Sequence, residues 1–281
     1  MNRLIADSGS TKTEWCLCDG VQVAKRLCTG GINPVYQTGN DITAQLREEL
    51  LPGMEGLPVP EQIHFYGAGC ITQKIPAVEQ ALRAVFPKTE VIEVSSDMLG
   101  AARSLCGHEP GIACILGTGS NSCEYDGENI TANVPPLGFI LGDEGSGACL
   151  GKHLVADLLK NRLPAELKAA FLEKYALDQG SIIDRVYRQP MPNRFLASLT
   201  PFIAEHLHYP QMRQLVVSAF TAFLQRNVMQ YDWKGKAVHF TGSIAYHFSV
   251  PLAEAAARCG IQPGKIKKTP MEGLIMYHYG K

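Results

Sequence analysis

Three segments of this chain place Gly, Ser and Thr at turns directly after short apolar runs. They are Asp7-Ser8-Gly9-Ser10-Thr11-Lys12-Thr13, Leu116-Gly117-Thr118-Gly119-Ser120-Asn121 and Phe240-Thr241-Gly242-Ser243-Ile244-Ala245. Glycine lets backbone N–H groups approach a phosphate with no Cβ in the way, and hydroxyls add donors. Asp7 differs in kind, because a carboxylate beside phosphates repels them unless a cation stands between. Its chemistry is therefore to hold hydrated Mg²⁺ against phosphate oxygens, with Lys12 adding positive charge. Asp97 is a second carboxylate of interest. It follows the strand Glu90–Val94 and opens a helix, so it projects from a fixed point, and a helix N-terminus favours its ionised form. The turn Gly30-Gly31-Ile32-Asn33-Pro34 presents an amide side chain. Each feature also has a plainer use: Asp97 as a helix cap, Asn33 as a turn former, a lone Gly-Ser turn as a turn only. The chain contains neither G-x-x-x-x-G-K-[ST] nor G-x-G-x-x-G, so neither common phosphate loop is present.

The elements that must carry these residues follow from periodicity. Leu4–Ala6, Glu14–Cys18 and Val21–Cys28 read as strands, the last two flanking the hairpin signal Asp19-Gly20. Asp41–Leu50 and Thr72–Val85 have helical spacing, Ile63–Tyr66 and Glu90–Val94 read as strands, and a helix runs from Ser95-Ser96-Asp97 to Leu105. Pro52 to Pro60 reads as a surface loop. A second cycle starts at Gly111, with strands Ile112–Leu116 and Asn121–Tyr125 around the second turn; this unit echoes residues 4–18 and predicts an internal duplication. From Ser146 the pattern is helical, through 146–159, 163–175, 179–188, 194–208 and 210–231. Val238–Phe240 is a strand, a helix follows to Arg258, Lys265–Lys268 reads as a short strand, and Met271–Tyr279 as a last helix.

Composition narrows the function classes. At 281 residues the chain suits about two domains of roughly 150 residues. A net charge of −1 excludes nucleic-acid binding through bulk charge. No apolar run approaches the roughly 18 residues of a membrane-spanning helix. Asp7 comes too early for a secretory signal, so the expected location is cytoplasmic. The nine cysteines are odd in number and lack C-x-x-C spacing, which predicts buried thiols rather than a disulfide framework or zinc site.

The constellation resembles the actin-like ATPase superfamily, and within it the N-acetylglucosamine kinase and BadF/BadG activator group. Asp7–Thr13 is similar to that family's first phosphate loop, D-G-G-G-T-K-T, and Gly117-Thr118-Gly119-Ser120-Asn121 to its second, G-T-G-S-N. Gly138 with Gly142-Asp143-Glu144-Gly145-Ser146 resembles G-x-x-x-G-D-E-G-S, and Gly242-Ser243-Ile244-Ala245 resembles the turn on the adenosine side. The resemblance implies an α/β fold of two ribonuclease H-like domains with a nucleotide cleft between them. They would span residues 1–106 and 107–269, with residues 270–281 returning to the first.

It also implies an ATP-dependent sugar kinase. ATP and Mg²⁺ would be held by Asp7, Ser8, Gly9, Ser10, Thr11, Lys12, Thr13, Gly117, Thr118, Gly119, Ser120, Gly242 and Ser243. Ser95-Ser96-Asp97 matches the family segment carrying the catalytic aspartate, and Asn33, Thr118 and Asp143 match sugar-contact positions. The implied reaction is transfer to the 6-hydroxyl of N-acetylglucosamine or a close relative; Glu144 receives no role. Ser8 and Ser10 depart from the family's glycines and would either add hydroxyl donors or crowd the phosphates. The alternatives are a BadF-type redox activator, whose Cys-Ala-Ala-Gly-Thr-Gly segment is missing here, and a sugar or nucleotide sensor. Many proteins of this group are homodimers.

Overall fold

The computed structural model describes residues 1–9 and 11–280, and the chain divides into two compact units. The first unit comprises Met1–Pro110, Tyr125–Thr131 and the residues from Thr269; the second comprises Gly111–Glu124 and Ala132–Lys268. Chain order in the first half is β1 (Asn2–Ser8), β2 (Lys12–Asp19), β3 (Gln22–Gly30), α1 (Gly39–Gln45), a π-helical stretch Leu46–Leu50, α2 (Leu51–Met54), β4 (Gln62–Gly67), α3 (Ile75–Val85), β5 (Val91–Ser96) and α4 (Asp97–Cys106). The five strands form one sheet in the order β3-β2-β1-β4-β5. β1 and β2 are antiparallel, while β1, β4 and β5 run parallel. Both faces are covered, so alternate residues of β1 enter different cores. Leu4 and Ala6 pack with Ile42, Leu46, Val78 and Leu82, whereas Ile5 packs with Cys16, Tyr66, Met271 and Leu274.

The second half continues with β6 (Gly111–Leu116), β7 (Ser120–Tyr125), β8 (Ile130–Ala132), α5 (Gly138–Leu141), α6 (Gly147–Leu159), α7 (Ala165–Tyr175), α8 (Gln179–Tyr187), α9 (Pro192–Ser198), α10 (Thr200–Glu205) and α11 (Pro210–Arg226). It ends with β9 (Val238–Thr241), α12 (Ser243–His247), α13 (Ser249–Arg258), β10 (Pro263–Lys267) and α14 (Met271–Tyr279). Its sheet has the order β8-β7-β6-β9-β10, so strand for strand the duplication anticipated from the turns is present. α14 belongs to the first unit, where Met271, Leu274 and Ile275 pack on Ile5, Cys16 and Tyr66.

The differences from the expected elements have local causes. Pro52 opens a helical turn rather than a loop, since proline is well suited to the first turn of a helix. Pro201 likewise lies in the first turn of α10, which splits the expected 194–208 helix after Ser198. α3 begins at Ile75, not Thr72, with Pro76 in its first turn. β8 and α5 are too short to show a period. None of the nine cysteines forms a disulfide, and seven are buried. Among the described residues no helix is long and apolar enough to cross a membrane.

Candidate active site

In the first unit the residues singled out by sequence collect at the C-terminal edge of the sheet. Asp7 pairs in register with Tyr66 on β4, and Tyr66 with Ser95 on β5. With strands about 4.8 Å apart, Asp7 and Ser95 lie roughly 10 Å from each other, and Asp97 follows two residues later. Ser96 caps α4 by accepting from Leu99 N–H (3.2 Å), so Asp97 is the first helical residue and not the cap. Its Oδ1 accepts from Met98 N–H (2.9 Å). Burial nevertheless pushes the Asp97 carboxyl up to about 6, outweighing those backbone hydrogen bonds. The backbone N–H groups at the helix start do favour the ionised form, as the sequence suggests, but burial acts against them more strongly. Asp7 is pushed up to about 7, first by burial and then by the charges of Asp97 and Glu14, with the Lys12 ammonium opposing them.

The first turn is built differently from the expectation for Ser8. Ser8 Oγ accepts from Ile32 N–H (3.0 Å) and lies 2.7 Å from Thr13 Oγ1, which donates to Gly30 O (3.0 Å). Both side chains are fully buried, so the Ser8 hydroxyl neither adds a donor at the edge nor crowds it. Any phosphate contact by Ser8 or Thr13 must use the main chain. Gly9 and Thr11 are exposed, Gly9 N–H donates to Lys12 O (3.0 Å), and Thr11 O accepts from Gly31 N–H (3.1 Å). Ser10 lies outside the described residues.

Asn33 does form a turn: its Oδ1 accepts from Val35 N–H (3.0 Å), and its own N–H donates to Gln37 Oε1 (2.8 Å). Both bonds leave the amide Nδ2 available as a donor. The Asn33 carboxamide lies against Gly69, where a Cβ would come within 2.1 Å of Oδ1, and Gly69 has φ +75°. This Gly67-Ala68-Gly69-Cys70 segment after β4 was missed in the sequence, although its two glycines after an apolar strand are the same signal as in the other turns. Burial, and then the charge of Asp97, push the Cys70 thiol up to about 12.

In the second unit the other predicted residues converge. The Asp143 carboxylate accepts from Ser120 N–H (3.2 Å) and lies over Gly119, where a Cβ would meet its oxygens at 3.1 and 3.3 Å. Gly117 O and Thr118 O accept from Gly147 and Ala148 N–H (2.8 and 3.1 Å), so the second turn and the start of α6 are one unit. Asp143 has φ +54°, Gly145 has φ +70°, and burial raises the Asp143 carboxyl. Gly242, φ +113°, passes so close to Leu116 O that a Cβ would lie 2.3 Å from it, which sets the third turn against the second. Above Gly117 the space is open. Glu144 pairs with Arg226 (2.8 Å) on α11 and so anchors the loop. A cavity of about 890 Å³ borders this loop through Gly142, Glu144, Lys152 and Arg226, but neither Asp143 nor Thr118 lines it.

The donor set suits Mg²⁺, which takes oxygen ligands, keeps several waters and needs one or two carboxylates plus phosphate oxygens. Asp7 supplies such a carboxylate, held at a raised pKa among other acids, a state that a cation relieves. Among the described residues no cluster of three or more His, Cys, Asp or Glu offers an all-protein metal cage.

No sequence-family profile matches the chain, and no curated protein is similar to it. Solved structures are. The chain is 48% identical, over 99% of both chains and with a TM-score of 0.96, to a Porphyromonas gingivalis protein that bears the provisional designation N-acetylglucosamine kinase. A Chromobacterium violaceum protein with the same provisional designation is 17% identical over 98% of both chains, TM-score 0.75. A ROK-family glucokinase of Streptomyces griseus, solved with glucose and AMPPNP, is 15% identical over 99% of this chain and 98% of its own, TM-score 0.65. The last two speak to the fold alone.

Proposed function

This chain belongs to the N-acetylglucosamine kinase family of the actin-like ATPase fold, and from that premise we propose that it transfers the γ-phosphoryl group of ATP to the 6-hydroxyl of N-acetylglucosamine, with Asp97 as general base. The observation that carries the reading is the shared edge of the first sheet. There Asp7 and Asp97 stand two strands apart, and their pKa values are raised by burial to about 7 and about 6. A general base works best with a pKa near the working pH, and Asp97 meets that condition.

The division of labour follows from position. Asp97 accepts the proton of the acceptor hydroxyl, fixed as the first residue of α4 by the Ser96 cap. Asn33 Nδ2 donates to a sugar oxygen, while Asp143 accepts from sugar hydroxyls. The exposed residues Gly9 and Thr11 and the turns at Gly117–Ser120 and Gly242–Ser243 face phosphates and nucleoside. Mg²⁺, held through Asp7 when bound, supplies charge neutralisation between phosphate oxygens. Phosphoryl transfer asks little covalent chemistry of a protein, so most of the acceleration comes from holding these groups in place.

The test is ADP release measured over a panel of hexoses and hexosamines, with the product identified by mass spectrometry and its phosphate position by NMR. N-acetylglucosamine should give the highest kcat/KM and a 6-phosphate. Absence of sugar-dependent ADP release across the panel would remove the proposal, and a different preferred sugar would remove its substrate assignment.

A further inference from the structure

We propose that Arg103 and Tyr66 are positioning residues, which hold Asp97 in register with Asp7 through a half-buried polar network that touches no substrate; the proposal rests on the kinase reading above. Tyr66 stands in the row between the two carboxylates, in register with Asp7 on one side and Ser95 on the other. It is 1% exposed. Its ring supports α4 directly: a Cβ on Gly100 would lie 2.8 Å from Tyr66 Cβ and Cγ, so only glycine lets the helix ride this close. One turn further along α4, Arg103 Nη1 donates both to Tyr66 Oη (2.9 Å) and to Glu93 Oε1 (3.0 Å) on β5. Glu93 Oε2 is bonded to His64 Nδ1 (3.0 Å), and His278 Nε2 of α14 lies 2.9 Å from Tyr66 Oη. The Arg103 guanidinium also sits 5.1 Å above the Tyr277 ring.

Helix α4 is therefore pinned at two points against β4 and β5, and its first residue is Asp97. Sliding or tilting α4 moves the candidate base relative to the acceptor hydroxyl. Misplacement of about 1 Å can cost on the order of 10²-fold in rate, so this network reaches the chemistry without contacting it. The C-terminal helix takes part through His278, which gives its packing on the first unit a consequence for turnover.

Four variants decide the matter, each measured for kcat, for KM of ATP and sugar, and for Tm. Arg103→Met should lower kcat at least tenfold with both KM values within about twofold, the pattern of an interaction lost only in the transition state. Arg103→Lys should recover most of that loss, because a single nitrogen makes both hydrogen bonds. Tyr66→Phe, which keeps the ring and removes the hydroxyl, should lower kcat three- to tenfold, and it serves as the deciding variant should Arg103→Met fail to fold. Val78→Ala, in the core on the opposite face of the sheet, should lower Tm yet leave kcat unchanged. A kcat of Arg103→Met, or failing that of Tyr66→Phe, within twofold of wild type overturns the proposal. So does an equal kcat loss in Val78→Ala. A wild-type protein inactive on every sugar sinks the kinase reading and this inference together; an active wild type with indifferent variants sinks the inference alone.

Discussion

The two sheets of this protein share one strand order, yet they have been put to different uses. In the first, short connections link β3 to β4 and β4 to β5, and the C-terminal edge carries the carboxylates Asp7 and Asp97. In the second, the connection from β8 to β9 runs through residues 133–237 and seven helices, and the edge carries glycine turns with one acid, Asp143, locked over them. The first edge therefore owes its properties to charge and burial, the second to backbone shape. Duplication supplied a common frame, and specialisation lies in what each edge exposes. The two halves should respond differently to substitution, and the predictions below use that contrast.

The largest effect belongs to the first edge. Asp97→Asn keeps shape and removes the base, so kcat should fall by about 10²- to 10⁴-fold while sugar affinity, measured by calorimetry, stays within a few-fold. If kcat holds within tenfold, the base lies elsewhere. The second edge should break on geometry. Gly242→Ala forces a Cβ to within 2.3 Å of Leu116 O at a φ of +113°, at a cost of order 1–3 kcal/mol. A clear drop in Tm and in nucleotide affinity should follow. The matched change Gly9→Ala on the first edge meets nothing closer than 3.9 Å and should be tolerated in Tm. Equal losses from both substitutions would erase the contrast.

A third prediction concerns pH. Asp97 has its folded pKa raised from 3.8 to about 6, so its contribution to stability is complete below about pH 4 and is lost as pH rises through 6. The Tm of the ligand-free wild type should therefore fall relative to Asp97→Asn across that window, and the two should coincide at pH 4. In kinetics, kcat/KM should rise from pH 5 and level off above 6 to 7. Because Asp7 interacts with Asp97, that limb reports the pair. The smallest effect is that of Glu144→Gln. It severs an ion pair whose Arg226 is largely exposed, worth about 0.2–1 kcal/mol, so Tm should shift by only a few degrees and kcat by less than threefold.

Much of this was legible in the sequence because turns announce themselves. Glycines after apolar runs mark both edges, and Asp97 lies where a strand gives way to a helix. The echo between residues 4–18 and the segment after Gly111 signalled an internal duplication, which the structure extends to the strand order of both sheets. The parity of β1 also held an unread signal. Ser8 shares its side of the strand with Leu4 and Ala6, so its hydroxyl had to point inward, while Asp7 shares its side with Ile5. What could not be read is long-range. The Glu144–Arg226 pair joins residues far apart in sequence, and the Arg103–Tyr66–His278 cluster needs β4, α4 and α14 assembled first. The net rise of the Asp97 pKa was hidden for the same reason, since burial is a property of the packed molecule. Local rules favoured ionisation, and burial shifted the balance the other way.

One bond in the first turn has a further reach. Ser8 Oγ accepts from Ile32 N–H, immediately before Asn33, so the β1–β2 hairpin turn and the Asn33 turn are tied directly to each other. Glycine at position 8 would remove that tie.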